Sequence, residues 1–202
     1  MAIKRPSDFH PGLKDEYLTQ VANWLLEEWY ATEDDLIRET DTSYTRGTTR
    51  FGRQLQRIVN EYLSGQHDWL GIENGSLDLV FSISGIPCRF SNDSLEAPTK
   101  RAVLQVHPYQ MSLIEDAQPG QAVRFCFVID QGFGEIIEPR AELLGFTASG
   151  NLACRWQSGT LDRTLIDIKA PRPEAVEVTK PMVTPKRRDY DVGDDIDTSA
   201  GQ

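Results

Sequence analysis

The apolar residues of this chain change their spacing once, near Trp69, and that change decides the fold class. Before it they recur every three or four positions, so that Leu18, Val21, Ala22, Leu25 and Trp29 form one helical stripe. Phe51, Leu55, Ile58, Val59 and Tyr62 form a second stripe. After Trp69 the apolar runs are short and bounded by turn residues. The clearest alternates Val123, Phe125, Phe127 and Ile129 with Arg124, Cys126 and Val128, giving a strand with one apolar and one mixed face. Helices followed by strands, rather than alternating with them, exclude a doubly wound parallel sheet and predict an α+β fold.

The patterns predict a helix over 13–30, with Asp15 and Glu16 near its positive end. A loop over 32–49, rich in hydroxyl residues and containing a short acidic turn at 33–39, leads to a second helix over 50–63 that Gly65 terminates. Strands are expected near 78–84, 87–90, 101–106, 121–130, 135–144 and 152–157. Turn residues at 131–134 and 148–151 make the last three an antiparallel meander. The expected architecture is two amino-terminal helices packed on a mainly antiparallel sheet or partly open barrel of about six strands.

Residues 1–168 are read as one domain, helical over 1–65 and β over 66–168. From Lys169 the chain carries Pro171, Pro173, Pro181 and Pro185, then the basic triplet 186–188 and Asp189, Asp191, Asp194, Asp195 and Asp197. Hydrophobic residues make up 39% of the chain, and this segment holds few of the large ones, so 169–202 is expected to be an extended or disordered tail.

Charge narrows the function. With 21 Lys and Arg against 31 Asp and Glu, the net charge of −10 excludes coating of nucleic acid by bulk attraction and argues against an acidic membrane surface. One basic island stands out, because residues 46–57 hold four arginines and no acid. The spacing of Arg46, Arg50, Arg53 and Arg57 places them within about 60° on a helix, opposite the stripe that begins at Phe51. An arginine face directed at solvent grips phosphate or carboxylate through paired hydrogen bonds.

Arg46 and Arg50 also fall near the expected helix start, where Gly47, Thr48 and Thr49 offer backbone N–H groups and hydroxyls to an anion. The binding set is therefore Arg46, Thr48, Thr49, Arg50, Arg53 and Arg57. Two alternatives compete with it. The arginines can pair internally with Glu33, Asp34, Asp35 and Glu39, and Gly47 can interrupt the helix so that only Arg50, Arg53 and Arg57 align. Trp24 and Trp29 on the first helix are either core or a docking surface for a partner.

Catalytic arrangements are weaker. Asp130, Glu135 and Glu138 bracket a hairpin and would suit a metal-dependent hydrolase or nuclease, but no lysine lies between Arg101 and Lys169. Cys88, Cys126 and His107 form a thiolate and base only if strands converge them, and inert core cysteine is the commoner outcome. His10, His67 and His107 lack paired metal-ligand spacing, and the Gly132-Phe133-Gly134 fragment reads as a turn. No metal or cofactor is expected.

Three widely spaced cysteines do not form a disulfide framework. With Pro6, Ser7 and Asp8 following Lys4 and Arg5 in place of a leader, and no apolar run of ~18–20 residues, a cytoplasmic setting without membrane contact is expected. The functional expectation is a non-enzymatic binding or regulatory module. Its partner is an acidic protein surface or the phosphates of a nucleic acid, and the alternatives are the metal-dependent hydrolase or a structural subunit of a larger assembly.

Overall fold

A computed structural model describes residues 4–111, 120–132 and 138–159. The first long helix, α1 (Asp15–Asp35), is followed by α2 (Ser43–Leu63). The strands are β1 (Leu70–Asn74), β2 (Val80–Ile83) and β3 (Ile86–Asn92), then, after the short helix α3 (Arg101–Leu104), β4 (Arg124–Asp130), β5 (Arg140–Phe146) and β6 (Leu152–Gln157). The six strands lie in chain order in one open sheet, so the α+β expectation holds and the barrel alternative does not. Four neighbouring pairs are antiparallel and β3 with β4 is parallel, which makes the sheet mixed. Among the described residues, no helix is long and apolar enough to cross a membrane.

Both helices cover one face of the sheet. Leu18, Val21, Leu25 and Trp29 of α1 and Ile58 of α2 pack in one core with Phe81, Phe90, Phe125, Phe127 and Leu143. The opposite face carries a smaller cluster of Val103, Cys126, Val128 and Leu144, covered in part by Leu95 and Ala102. This division follows the alternation along β4, where Phe125, Phe127 and Ile129 point to the helices and Cys126 and Val128 away.

Several boundaries differ from the sequence expectation, each for a local reason. α1 runs past residue 30 to Asp35; the Thr32 hydroxyl donates to the Glu28 carbonyl at 2.7 Å, and the charged residues at its end are held against α2. The hydroxyl-rich stretch read as a loop is the first two turns of α2. Thr42 caps the helix by accepting from the Thr45 backbone N–H at 3.2 Å, and the Thr48 hydroxyl turns back to the Tyr44 carbonyl. Gly47 therefore does not interrupt the helix. Gly65, at φ +67°, follows the helix in the left-handed conformation that glycine tolerates best.

The strand expected over 101–106 is instead the short helix α3. The Asp93 carboxylate accepts from the backbone N–H groups of Thr99 and Lys100, which coils the chain there, and Val103 is buried on the second face. β1 was not expected, because its five residues include a glycine and carry no clean alternation. It pairs with β2, which joins β3 through a tight turn with positive φ at Ser84 and Gly85. The tail expected over 169–202 lies outside the described residues.

Candidate functional site between the helices and the sheet

The four arginines all lie on α2, but their face is not directed at solvent. α2 has one flank against the sheet, where Phe51 stacks on Phe90 at 5.2 Å, and the other along α1. Its buried line is Arg50, Gln54 and Ile58, spaced by four residues. Arg50 is 4% exposed; its guanidinium pairs with Glu33 and lies 4.6 Å above the Trp29 indole. Arg53 meets Asp35 at 2.8 Å. Arg57 is within 3.2 Å of Glu27, 3.7 Å of Glu28 and 2.8 Å of Glu61.

This corrects the expectation of a solvent-facing arginine stripe. A helical wheel shows that four arginines share a face, but not that the neighbouring helix will lay carboxylates along it. The internal-pairing alternative named Glu33 and Asp35 correctly, missed Glu27, Glu28 and Glu61, and included Asp34 and Glu39, which are exposed. Arg46 is the exception. Among the described residues no carboxylate pairs with it, and its buried Nε meets no acceptor.

Two cavities adjoin the amino-terminal half of α2 and share Ser43, Gly47, Arg50 and Gln131. The smaller, of 410 Å³, is lined by Trp29, Glu33, Arg46 and those shared residues. It combines two guanidiniums with one carboxylate. Trp29 Nε1, Arg46 Nε and Arg50 Nε are all buried N–H donors without an acceptor. Each of these atoms is closed off from solvent and so does not open onto the cavity, and the Nε atoms of Arg89, Arg124 and Arg140 are in the same condition elsewhere.

The larger, of 670 Å³, is a groove running along α2 to the end of β3. Its walls include Phe51, Phe90, Leu77 and Ala102, with Tyr44, Thr48, Asn92 and Lys100 supplying polar groups. Lys100 is held there by its bond to the Asn92 carbonyl, and the Asn92 amide donates to Gln54 at 2.7 Å. Gly47 and Gly52 face the groove with open space where a Cβ would stand. Thr49, Arg53 and Arg57 line neither cavity.

The remaining sequence candidates are separated or occupied. Trp24 and Trp29 are 5% and 6% exposed, so they are interior residues rather than a docking surface; Trp24 stacks with Trp69 at 6.0 Å. The Asp130 carboxylate accepts from the Leu95 and Gly132 backbone N–H groups, Glu138 is exposed, and Glu135 lies outside the described residues. His10 contacts the Ala122 carbonyl, His67 contacts Glu61 and His107 contacts Asp78, each separately. Among the described residues no three His, Cys, Asp or Glu side chains gather in a group able to hold a metal ion.

Cys88 and Cys126 are buried on opposite sides of the sheet, which rules out a shared thiolate site. Burial raises both thiols well above their ordinary value, Cys126 to about 12. Tyr44, Asn92 and Lys100 were not found by sequence reasoning. Thr48 and Arg50, which also line the groove, were named from the sequence.

Comparison with protein-family models, curated proteins and solved structures finds no match for this chain.

Proposed function

We propose that this chain is a non-enzymatic binding module that recognises an acidic segment of a protein partner with the amino-terminal half of α2 and the groove beside it. The observation that carries this reading is the division of labour among the four arginines. Arg50, Arg53 and Arg57 are committed to carboxylates of the same chain, while Arg46 has none and lies beside an apolar groove. A nucleic-acid backbone calls for several uncommitted cations along a surface, and internal pairing has neutralised three of the four here. A short acidic and apolar segment needs only one free cation and a place for its apolar side chains.

A regulatory role and a cytoplasmic setting belong to the same proposal. Cys88, Cys126 and Cys154 are buried free thiols, which suits a reducing compartment.

The test is fluorescence anisotropy with a labelled peptide of alternating glutamate and leucine, compared with its lysine counterpart and a DNA duplex. The glutamate peptide should bind, weaken as salt rises, and lose about tenfold in affinity in Arg46→Gln. Preferred binding of the duplex, or equal binding of the lysine peptide, would overturn the reading.

A further inference from the structure

We propose that Asn74 is a self-modifying site. Its side-chain amide is lost by attack of the Gly75 backbone nitrogen, and the aspartate or isoaspartate that results releases the tip of the hairpin between β1 and β2. The proposal is independent of the reading of α2 and its groove.

The sequence singles out this position. Asparagines stand at 23, 60, 74, 92 and 151, followed in turn by Trp24, Glu61, Gly75, Asp93 and Leu152. Among these followers, glycine alone has no Cβ to hinder approach to its nitrogen or to narrow the range of its backbone. Asn74 ends β1 and Gly75 is exposed, so the nitrogen and the water that completes the reaction both have room.

The structure adds the surroundings of the reacting carbonyl. The Ser76 backbone N–H donates to Asn74 Oδ1 at 3.2 Å. Negative charge develops on that oxygen as the Gly75 nitrogen bonds to Cγ, and a donor already in place favours the tetrahedral adduct. The new N–Cγ bond replaces the Cγ–Nδ2 bond, and the proton of the attacking nitrogen departs with the amide group as ammonia. Water then opens the cyclic imide at either carbonyl. A carboxylate is left at 74, with no oxidant or reductant consumed.

The product undoes the local structure. Asn74 Nδ2 donates to the Asp78 carbonyl at 2.9 Å across the tip. A carboxylate is an acceptor only and cannot restore that bond, and its charge is repelled by the exposed Glu73 and Asp78 nearby. Isoaspartate also lengthens the main chain where Asn74 stands opposite Val80. Asp78 is the acid that pairs with the buried Arg89 and meets His107 at 3.2 Å, so loosening the tip bears on how the hairpin is anchored. The same tip contributes Leu77 to the wall of the groove.

The full-length protein is aged at mildly alkaline pH, folded or in urea, then digested and followed by mass spectrometry, in which each conversion adds about 1 Da. Asn74 in the folded protein should convert at least about tenfold faster than any other asparagine. Gly75→Ala, whose Cβ would meet Ile72 at an ordinary 3.7 Å, should stay folded and slow the conversion at least about tenfold. Asn74→Asp supplies the aspartate product directly. It should quicken amide hydrogen exchange at Asp78 and Val80 at least about tenfold, with the rest of the sheet unchanged. Conversion confined to the urea-unfolded chain, equal rates at Asn74 and the other asparagines, an unaltered rate in Gly75→Ala, or unchanged exchange in Asn74→Asp would overturn the proposal.

Discussion

Arg50 lies above the Trp29 indole at 4.6 Å while its guanidinium pairs with Glu33, so one side chain of α2 engages α1 by two different attractions. Arg50 is nearly fully buried, whereas Arg53 and its partner Asp35 have side chains 34% and 60% exposed. The two arginines should therefore differ sharply in their contribution to folding. Arg50→Gln should destabilise by about 2–3 kcal/mol, through loss of charge-assisted bonding and of the contact with the indole. Arg53→Gln should cost less than about 1 kcal/mol, as expected for an exposed pair. Urea unfolding of the two variants with unchanged m-values checks this; equal losses would contradict the structural difference.

The contrast shows where sequence reasoning reached its limit. The stripe at Leu18, Val21, Leu25 and Trp29 and the alternation along β4 were legible because each is a periodicity within one element. The direction of the arginine face depends on which neighbour fills the space beside α2, and that is a tertiary fact. Thr42, Thr45 and Thr48 have weak helix propensity, yet they begin a helix through cap and side-chain-to-carbonyl bonds. The parallel pairing of β3 and β4, which places Asn92 level with Ile129, leaves no trace in local pattern. The groove combines parts of three elements, and of its lining only Thr48 and Arg50, with Gly47 beside them, were singled out for binding from the sequence.

Gly47 and Gly52 offer a test of the space around α2. Gly47 and Gly52 lie within α2, and no atom crowds the place that a methyl group would take at either. Replacing either by alanine should stabilise the protein by about 0.5–1 kcal/mol, by reducing the unfolded chain's freedom and raising helix propensity. The thermal midpoints of the single variants provide the measurement. Destabilisation at either position would show that the wall of the groove is tighter than this geometry gives.

Gln54 ties three elements together. Its amide donates to the Leu25 carbonyl at 2.8 Å and its carbonyl accepts from the Asn92 amide at 2.7 Å, linking α2 to α1 and to the end of β3. Gln54 and Leu25 are fully buried whereas Asn92 lines the groove, so the Leu25 carbonyl is the partner shut off from water if the amide is removed. Gln54→Met keeps roughly the length and shape while deleting both bonds, and should cost about 1–3 kcal/mol. Hydrogen exchange should quicken in α2. A neutral substitution would mean that the relay adds little beyond packing.

The cysteines make the last prediction, and its sign follows from proton linkage. Burial raises Cys126 and Cys154 from 9.0 to about 12 and also raises Cys88, so the folded protein keeps these thiols protonated where the unfolded chain has lost its protons. Between about pH 9 and 12 the folded state binds more protons, and stability falls as pH rises, by at most about 1.4 kcal/mol per pH unit for each such group. Below about pH 8 the thiols contribute no slope, because both states hold the proton. Stability measured by urea unfolding should therefore decline above about pH 9, and the decline should be shallower in Cys126→Val, which retains a small apolar side chain at that position. At about pH 8, iodoacetamide should label the native thiols only at the rate at which the protein opens, since the thiolate is the reacting species and it is scarce in the fold. Rapid labelling of native Cys126, or an unchanged alkaline slope in Cys126→Val, would contradict a buried, proton-retaining thiol.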